Sequence, residues 1–454
     1  MDASTGRLVE LAMDTNFESL DHETVHECKR RLIDGFACAM GSFDHPLSQS
    51  TRAFALQYGG AKTASIWGTS MQTSREMAAY ANGVMLRVGE NSDTFIGKGG
   101  GGHPSDVIGG MVAVAESCKA DGRALIAATV LAYDGYCQLM DVARLGARGI
   151  DQAVHAALGS VLGVGKLMGL TAIQMGHAIS LALAPNIALR QTRHGELSSW
   201  KGCAGANAVR NAIFAASLAK NDVEGPSSIF EGRQGLWAVG GEFEWPAKAS
   251  MMASRMIART SIKCLPVCYH TQSAALAALD LYLRVEPQKI ADVQVETYQA
   301  AFDMAAGDAA QWAPRTPESA DHSLPFVVAT ALANGDVDAR HFRHECLQEP
   351  RVNEVMRRVK VSVDPALDKL WPETASARVT VRDSAGKTQC AEVIYPSGHV
   401  ANPMTDEALG KKFSTLFTSK STEEGSDEAL AALWRMEGVH DLTRDVLRLL
   451  HVRD

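Results

Sequence analysis

The sequence predicts a mainly α protein, a large all-helical domain interrupted by an α+β domain whose last helices return to the first. Three observations predict it. From about residue 22 to 221, apolar residues recur at three-and-four spacing, the period of a helix with a buried face. Near residue 262 the composition shifts to short alternating runs, the period of a half-buried strand. Beyond about residue 403 the helical spacing comes back, which sets expected boundaries of 1–262, 263–402 and 403–454.

The elements follow in order. HETVHECKRRLIDGFACAM opens the helical set, with charges between its apolar positions. TSREMAAYANGVMLRV begins with a capping-box pattern, Thr73 with Glu76 three residues later. Ala-rich segments follow through KGCAGANAVRNAIFAASLAK, too apolar on all sides to be peripheral. Small residues recur four apart, at Gly159 and Gly163 and at Ala204, Ala208 and Ala212. They share a helix face and suit close crossings. In the second domain ADVQVETYQ, VMRRVKVSVD, ARVTVRDSAG and TQCAEVIYP read as strands. The last two form a hairpin across Ser384-Ala385-Gly386. TQSAALAALDLYLR and LPFVVATALANG are helices among them, and TDEALGKKFSTLF and EALAALWRMEGV are the returning helices.

The bulk numbers exclude several classes. The chain has 454 residues, 46% hydrophobic and 21% charged, with a net charge of −8. That acidic balance argues against a nucleic-acid partner. It leaves room for an anionic substrate in a local basic pocket. There is no apolar leader after MDASTGRLVELAMD and no uninterrupted apolar run of membrane length, so neither a signal peptide nor a membrane span is expected. The nine cysteines are scattered without a C-x-x-C, which points to reduced thiols in the cytoplasm.

Chemistry concentrates in three segments. GKGGGGHPSD, residues 97–106, formally contains G-x-G-x-x-G. A helix and a polar loop precede it instead of a strand, and Lys98 comes before the glycines instead of after. Both nucleotide motifs therefore fail. What remains is a pliable loop ending at His103, then a helix capped by Ser105 with Asp106 in its first turn. RQTRHGELSSWKG, residues 190–202, holds Arg190, Arg193, His194, Glu196 and Lys201. A solvated loop explains it equally well, but Trp200 and the Ala/Gly-rich helix point to burial, and a buried cation needs an anion. SIKCLPVCYHTQSA places Lys263 and His270 at the domain boundary, where a plain hinge would also put solvent-facing charges. Cys264, Cys268 and His270 lack the further ligands of a closed zinc site, so no metal is expected. With the acids Asp93 and Asp106, this set suits removal of a proton next to a carboxylate, with cations stabilising the enediolate and no cofactor.

The chain resembles the MmgE/PrpD family, which includes 2-methylcitrate dehydratase, cis-aconitate decarboxylase and iminodisuccinate epimerase. The stretches that carry the resemblance are SDTF…GHPSD, LRQTRHGELSSWKGCAGANAVRNAIFAA, GPSSIFEGRQG, IKCLPVCYHTQSAALAAL, DHSLPFVVATAL and NPMTDEAL. They run in the same order from about residue 25 to 415. The resemblance implies a helical domain with an inserted α+β lid, a homodimer, and a small polycarboxylate substrate handled without a metal. It implies an active-site pattern of Asp93, Thr94, His103, Lys201, Lys263 and His270, with His103 as acid/base group and the lysines holding carboxylates or sharing in proton transfer. Arg190 and Arg193 are placed near the substrate, and Ser105 with them.

The departures bear on the substrate. Dehydratase-like members usually carry Leu-Asp-Phe-Asn before Asp-Thr, where this chain has Gly89-Glu90-Asn91-Ser92 before Asp93-Thr94. They often have Asp-His at Asp151-Gln152, and Glu at Cys268. The expected activity is a 2-methylcitrate-like dehydratase. Decarboxylation of cis-aconitate and epimerisation of an iminodisuccinate-type acid are the alternatives within the family, and a non-catalytic metabolite-binding homologue is the alternative outside enzymes.

Overall fold

The computed structural model describes residues 1–58 and 60–452. The chain divides into two compact units. The first comprises Met1–Thr192, Gly202–Ser261 and residues from Thr405 onward, and the second Arg193–Lys201 and Ile262–Met404.

The first unit is helical. Its long helices are His22–Gly41, Arg75–Val88, Gly122–Val142, Ala153–Leu167 and Trp200–Lys220, the last having Trp200 and Lys201 in the second unit. Close crossings occur where small residues recur. A Cβ added at Gly159 would overlap the Ala132 carbonyl oxygen, and one at Gly163 the Met111 sulfur and the Ala128 carbonyl. Helix Ala153–Leu167 therefore lies backbone to backbone on helix Gly122–Val142. Ala204, Ala208 and Ala212 are buried as well. Helix Asp406–Phe417 packs on His22–Gly41, tied by Lys412 Nζ to Asp34 Oδ1 at 2.6 Å. Two buried polar groups pin the centre. Asp134 takes Arg255 at 2.7 Å on one oxygen and the Met256 N–H at 2.8 Å on the other.

The second unit holds a four-stranded sheet, ordered Val359–Val363, Ile290–Thr297, Ala377–Asp383, Thr388–Val393. The first pair is parallel, with Val293 opposite Val359, and the chain reaches it through helices, as a parallel crossover requires. The other pairs are antiparallel, and the last is the hairpin across Ser384-Ala385-Gly386. Val293, Val295, Val379 and Val381 are buried alternately along their strands. Helices Gln272–Tyr282 and Leu324–Asn334 complete this core.

Three local expectations are corrected. Thr73 does not cap its helix; it pairs with Ala64, and Ser74 is the cap, accepting the Met77 N–H at 3.3 Å. One residue of register decides this, because it moves Glu76 off the position a capping box needs. Ser105 is not a cap either. Pro104–Val107 forms a tight 3₁₀ turn, and the α-helix starts only at Ile108. Trp200, read as a sign of burial, is 47% exposed, while its neighbour Lys201 is buried. Among the described residues, no helix is long and apolar enough to cross a membrane.

Candidate active site

Each unit contains a cluster of buried titratable groups. In the first, the glycine-rich segment is not a loose loop. Phe95–Gly97 pairs with Gly100–Gly102 as a hairpin. Gly100 has φ of 118°, closed to other residues without strain. Gly102 passes so close to Tyr136 that a Cβ would overlap the phenol oxygen. That oxygen accepts the His103 N–H at 2.9 Å. The hairpin is held against helix Gly122–Val142 by the Gly99 N–H, which donates to the Met140 carbonyl at 2.8 Å. The glycines thus deliver His103 to a fixed place by close backbone approach.

A short contact through Nδ1 helps orient His103. Its Nδ1 lies 2.7 Å from the Asp93 carbonyl oxygen, with Thr94 Oγ1 more distant at 3.5 Å. A carbonyl oxygen only accepts, so Nδ1 carries the proton and Nε2 offers its lone pair. Glu90 Oε1 stands 3.9 Å from Nε2, able to stabilise an imidazolium once it forms. Glu90 is itself paired with Arg87 at 2.6 Å, and both are buried. Its φ of 50° is unusual for a non-glycine residue, a local strain of the kind that gathers at functional sites.

Asp93 plays a bracing part in this arrangement. Its side chain is fully buried, and Oδ1 accepts the Ser105 N–H at 2.9 Å while Oδ2 accepts the Tyr133 hydroxyl at 2.8 Å. Burial pushes its carboxyl up, against the hydrogen bonds from Ser105 that pull it down. Ser105 is buried too. Thr94 is buried and bridges to Ser261. Arg190 lies beside the hairpin, with a guanidinium nitrogen 4.0 Å from the point a Gly100 Cβ would occupy.

The second unit carries the lysines. Lys201 is buried, with Nζ 3.1 Å from Asp321 Oδ1 and 3.1 Å from His322 Nδ1. Asp321 and His322 also touch each other. Arg193 donates to the Lys201 carbonyl at 3.2 Å, so it supports the backbone that carries the lysine. His194 and Glu196 are exposed. Lys263 is among the largest fully buried side chains of the protein. His270 has Nδ1 2.8 Å from the Tyr298 hydroxyl. Burial, then the charges of His322 and Lys263, push its imidazole down to about 3, so it is neutral at physiological pH. The Cys264 thiol is turned to Gln272 Oε1 at 3.4 Å.

Glu90, Asp321, His322 and Tyr298 belong to these clusters, and the sequence reading had not singled them out as site residues. The adjacent Asp321-His322 just before a helix capped by Ser323 was the available signal. Tyr298 gave none, because its partner lies 28 residues away, and Glu90 gave none, because an acid three residues after Arg87 at a helix end is ordinary.

Fold and clusters together define an enzyme with acid–base groups in a helical unit and buried lysines in an α+β unit. Comparison with known proteins makes the class specific. The MmgE/PrpD N-terminal domain matches residues 6–245 and the MmgE/PrpD C-terminal domain residues 265–436. The chain belongs to the MmgE/PrpD family and is an enzyme of its hydro-lyase type. A 2-methylcitrate dehydratase of Salmonella typhimurium is 26% identical over 414 residues, covering 83% of this chain and 82% of the relative. One from Cupriavidus necator is 26% identical over 413 residues, covering 84% and 82%. An alkylcitrate dehydratase of a fungal species is 26% identical over 438 residues, covering 88% and 84%.

Proposed function

We propose that this enzyme dehydrates a 2-methylcitrate-like hydroxy-tricarboxylate without a metal, and that His103 removes the proton next to a carboxylate. The observation that carries the reading is the bond from His103 Nδ1 to the Asp93 carbonyl, which commits Nε2 to accepting a proton. The names of the relatives support the substrate class.

The carbon–hydrogen electron pair moves into the enediolate as His103 takes the proton. That pair then forms the carbon–carbon double bond as the carbon–oxygen bond breaks. The departing hydroxide takes a proton from a lysine ammonium, Lys201 or Lys263, and leaves as water. The lysines also balance the carboxylates and the charge that develops on the enediolate. Arg190, Arg193, Thr94 and Ser105 complete the substrate surroundings in this reading. Free thiols at all nine cysteines fit a cytoplasmic setting, and a homodimer is part of the proposal.

Proton NMR of the purified protein in D2O tests it, with 2-methylcitrate, citrate, cis-aconitate and iminodisuccinate supplied separately. An alkene signal from 2-methylcitrate is the expected result. Itaconate from cis-aconitate, or deuterium entering an α-carbon without net conversion, would replace the dehydratase by the decarboxylase or the epimerase.

A further inference from the structure

The Tyr298 hydroxyl is buried, and among the described residues its one hydrogen-bond partner is His270 Nδ1 at 2.8 Å. Burial holds this phenol well above its ordinary pKa, so it keeps its proton. A buried hydroxyl proton needs an acceptor, and Nδ1 is the acceptor in reach. The ring of Trp371 fixes the geometry. It stacks on Tyr298 at 4.3 Å between centroids and 9° between planes, and lies 5.3 Å from the His270 ring.

We propose that Tyr298 is a positioning residue that locks His270 in the Nε2–H tautomer, so that His270 acts as a neutral hydrogen-bond donor to a substrate carboxylate and not as a base. The donor's target rests on the dehydratase reading above; the tautomer does not. The low imidazole pKa keeps the ring from becoming a cation, and the nearby charges of Lys263 and His322 are its cause after burial. Donation from a neutral imidazole moves no proton. It strengthens as charge builds on the carboxylate during proton removal. Among the described residues Nε2 makes no hydrogen bond, which leaves it to a ligand.

The test is nitrogen-15 NMR of the full-length enzyme labelled in its histidine rings. The His270 signals are assigned by their loss in His270→Gln. The expected result is a protonated Nε2 and an unprotonated Nδ1 from pH 8 to about pH 5. In Tyr298→Phe the two nitrogens should average, and kcat should fall about tenfold with KM within about twofold. A protonated Nδ1 in the wild type would overturn the proposal, and needs no variant of Tyr298. So would an unchanged tautomer and kcat in Tyr298→Phe. If the wild type gives the Nε2–H tautomer but turns over no alkylcitrate, the dehydratase reading fails while the lock stands.

Discussion

His103 and His270 each make a short hydrogen bond through Nδ1, yet the two bonds run in opposite directions. In the first unit the partner is a backbone carbonyl, which can only accept, so His103 keeps its lone pair on Nε2. In the second the partner is a phenol, which has a proton to place, so His270 keeps its hydrogen on Nε2. In the proposed reading the same side chain is a base in one setting and a donor in the other. A carboxylate, Glu90, stands by the base to stabilise its protonated form, and cations stand by the donor to prevent one. The role of a histidine therefore comes from what its far nitrogen touches, and no local sequence pattern reports that.

The largest effect expected from breaking this contrast is at His103. Glutamine there can donate or accept a hydrogen bond but cannot carry a proton away, so His103→Gln should lower kcat by on the order of 10³-fold. The melting temperature should hardly move, since the ring is at the edge of its cluster. Activity close to wild type would end the base assignment. Lys201→Met should cost about 10²-fold in kcat by removing positive charge from the transition state. It should also destabilise the fold by about 3–5 kcal/mol, because Asp321 is left buried without its cation. Adding Asp321→Asn should recover most of that stability and none of the activity. Recovery of both would return Lys201 to a structural role. His270→Gln sharpens the contrast most directly. Glutamine still offers an N–H, so the loss should be only about tenfold, smaller than in His270→Phe. Equal losses for Gln at both histidines would erase the distinction between base and donor.

The two clusters also differ in how much of them the sequence made legible. Helical period, strand alternation and the Ser384-Ala385-Gly386 hairpin follow from local pattern, and the structure bears these out. His103, Lys201, Lys263 and His270 could be marked as chemically unusual because a cation or imidazole beside apolar or glycine-rich sequence is conspicuous. Their partners could not. Tyr298 stands in a strand-like run where an aromatic is ordinary, and its contact with His270 spans 28 residues. Asp93 looked like one more acid of the site, whereas both its oxygens brace the turn that aims His103. The glycines looked like a pliable loop because flexibility is what composition shows; that they admit Tyr136 and the end of a helix is a tertiary fact.

The smallest expected effect is on stability against pH, and it separates the units again. His155, buried in the first, is pushed down to about 4 by burial, and His270 in the second to about 3, both from an ordinary 6.5. Between pH 6.5 and about 4 the unfolded chain therefore binds more protons at these positions than the folded one. Stability must then fall as the pH falls through that window, by up to about 1.4 kcal/mol per pH unit for each proton. Asp134 opposes this, because burial pushes its carboxyl from 3.8 up to about 6 and the folded state binds the extra proton there. Asp93, whose carboxyl burial also pushes up, opposes it as well, so the histidine share is read from how each variant changes the slope of the urea midpoint between pH 6.5 and 4.5. His155→Gln and His270→Gln should each flatten that slope by less than one proton. A slope that His270→Gln leaves untouched would mean that His270 protonates freely in the folded state, and with it the neutral donor and its contrast with His103 would go.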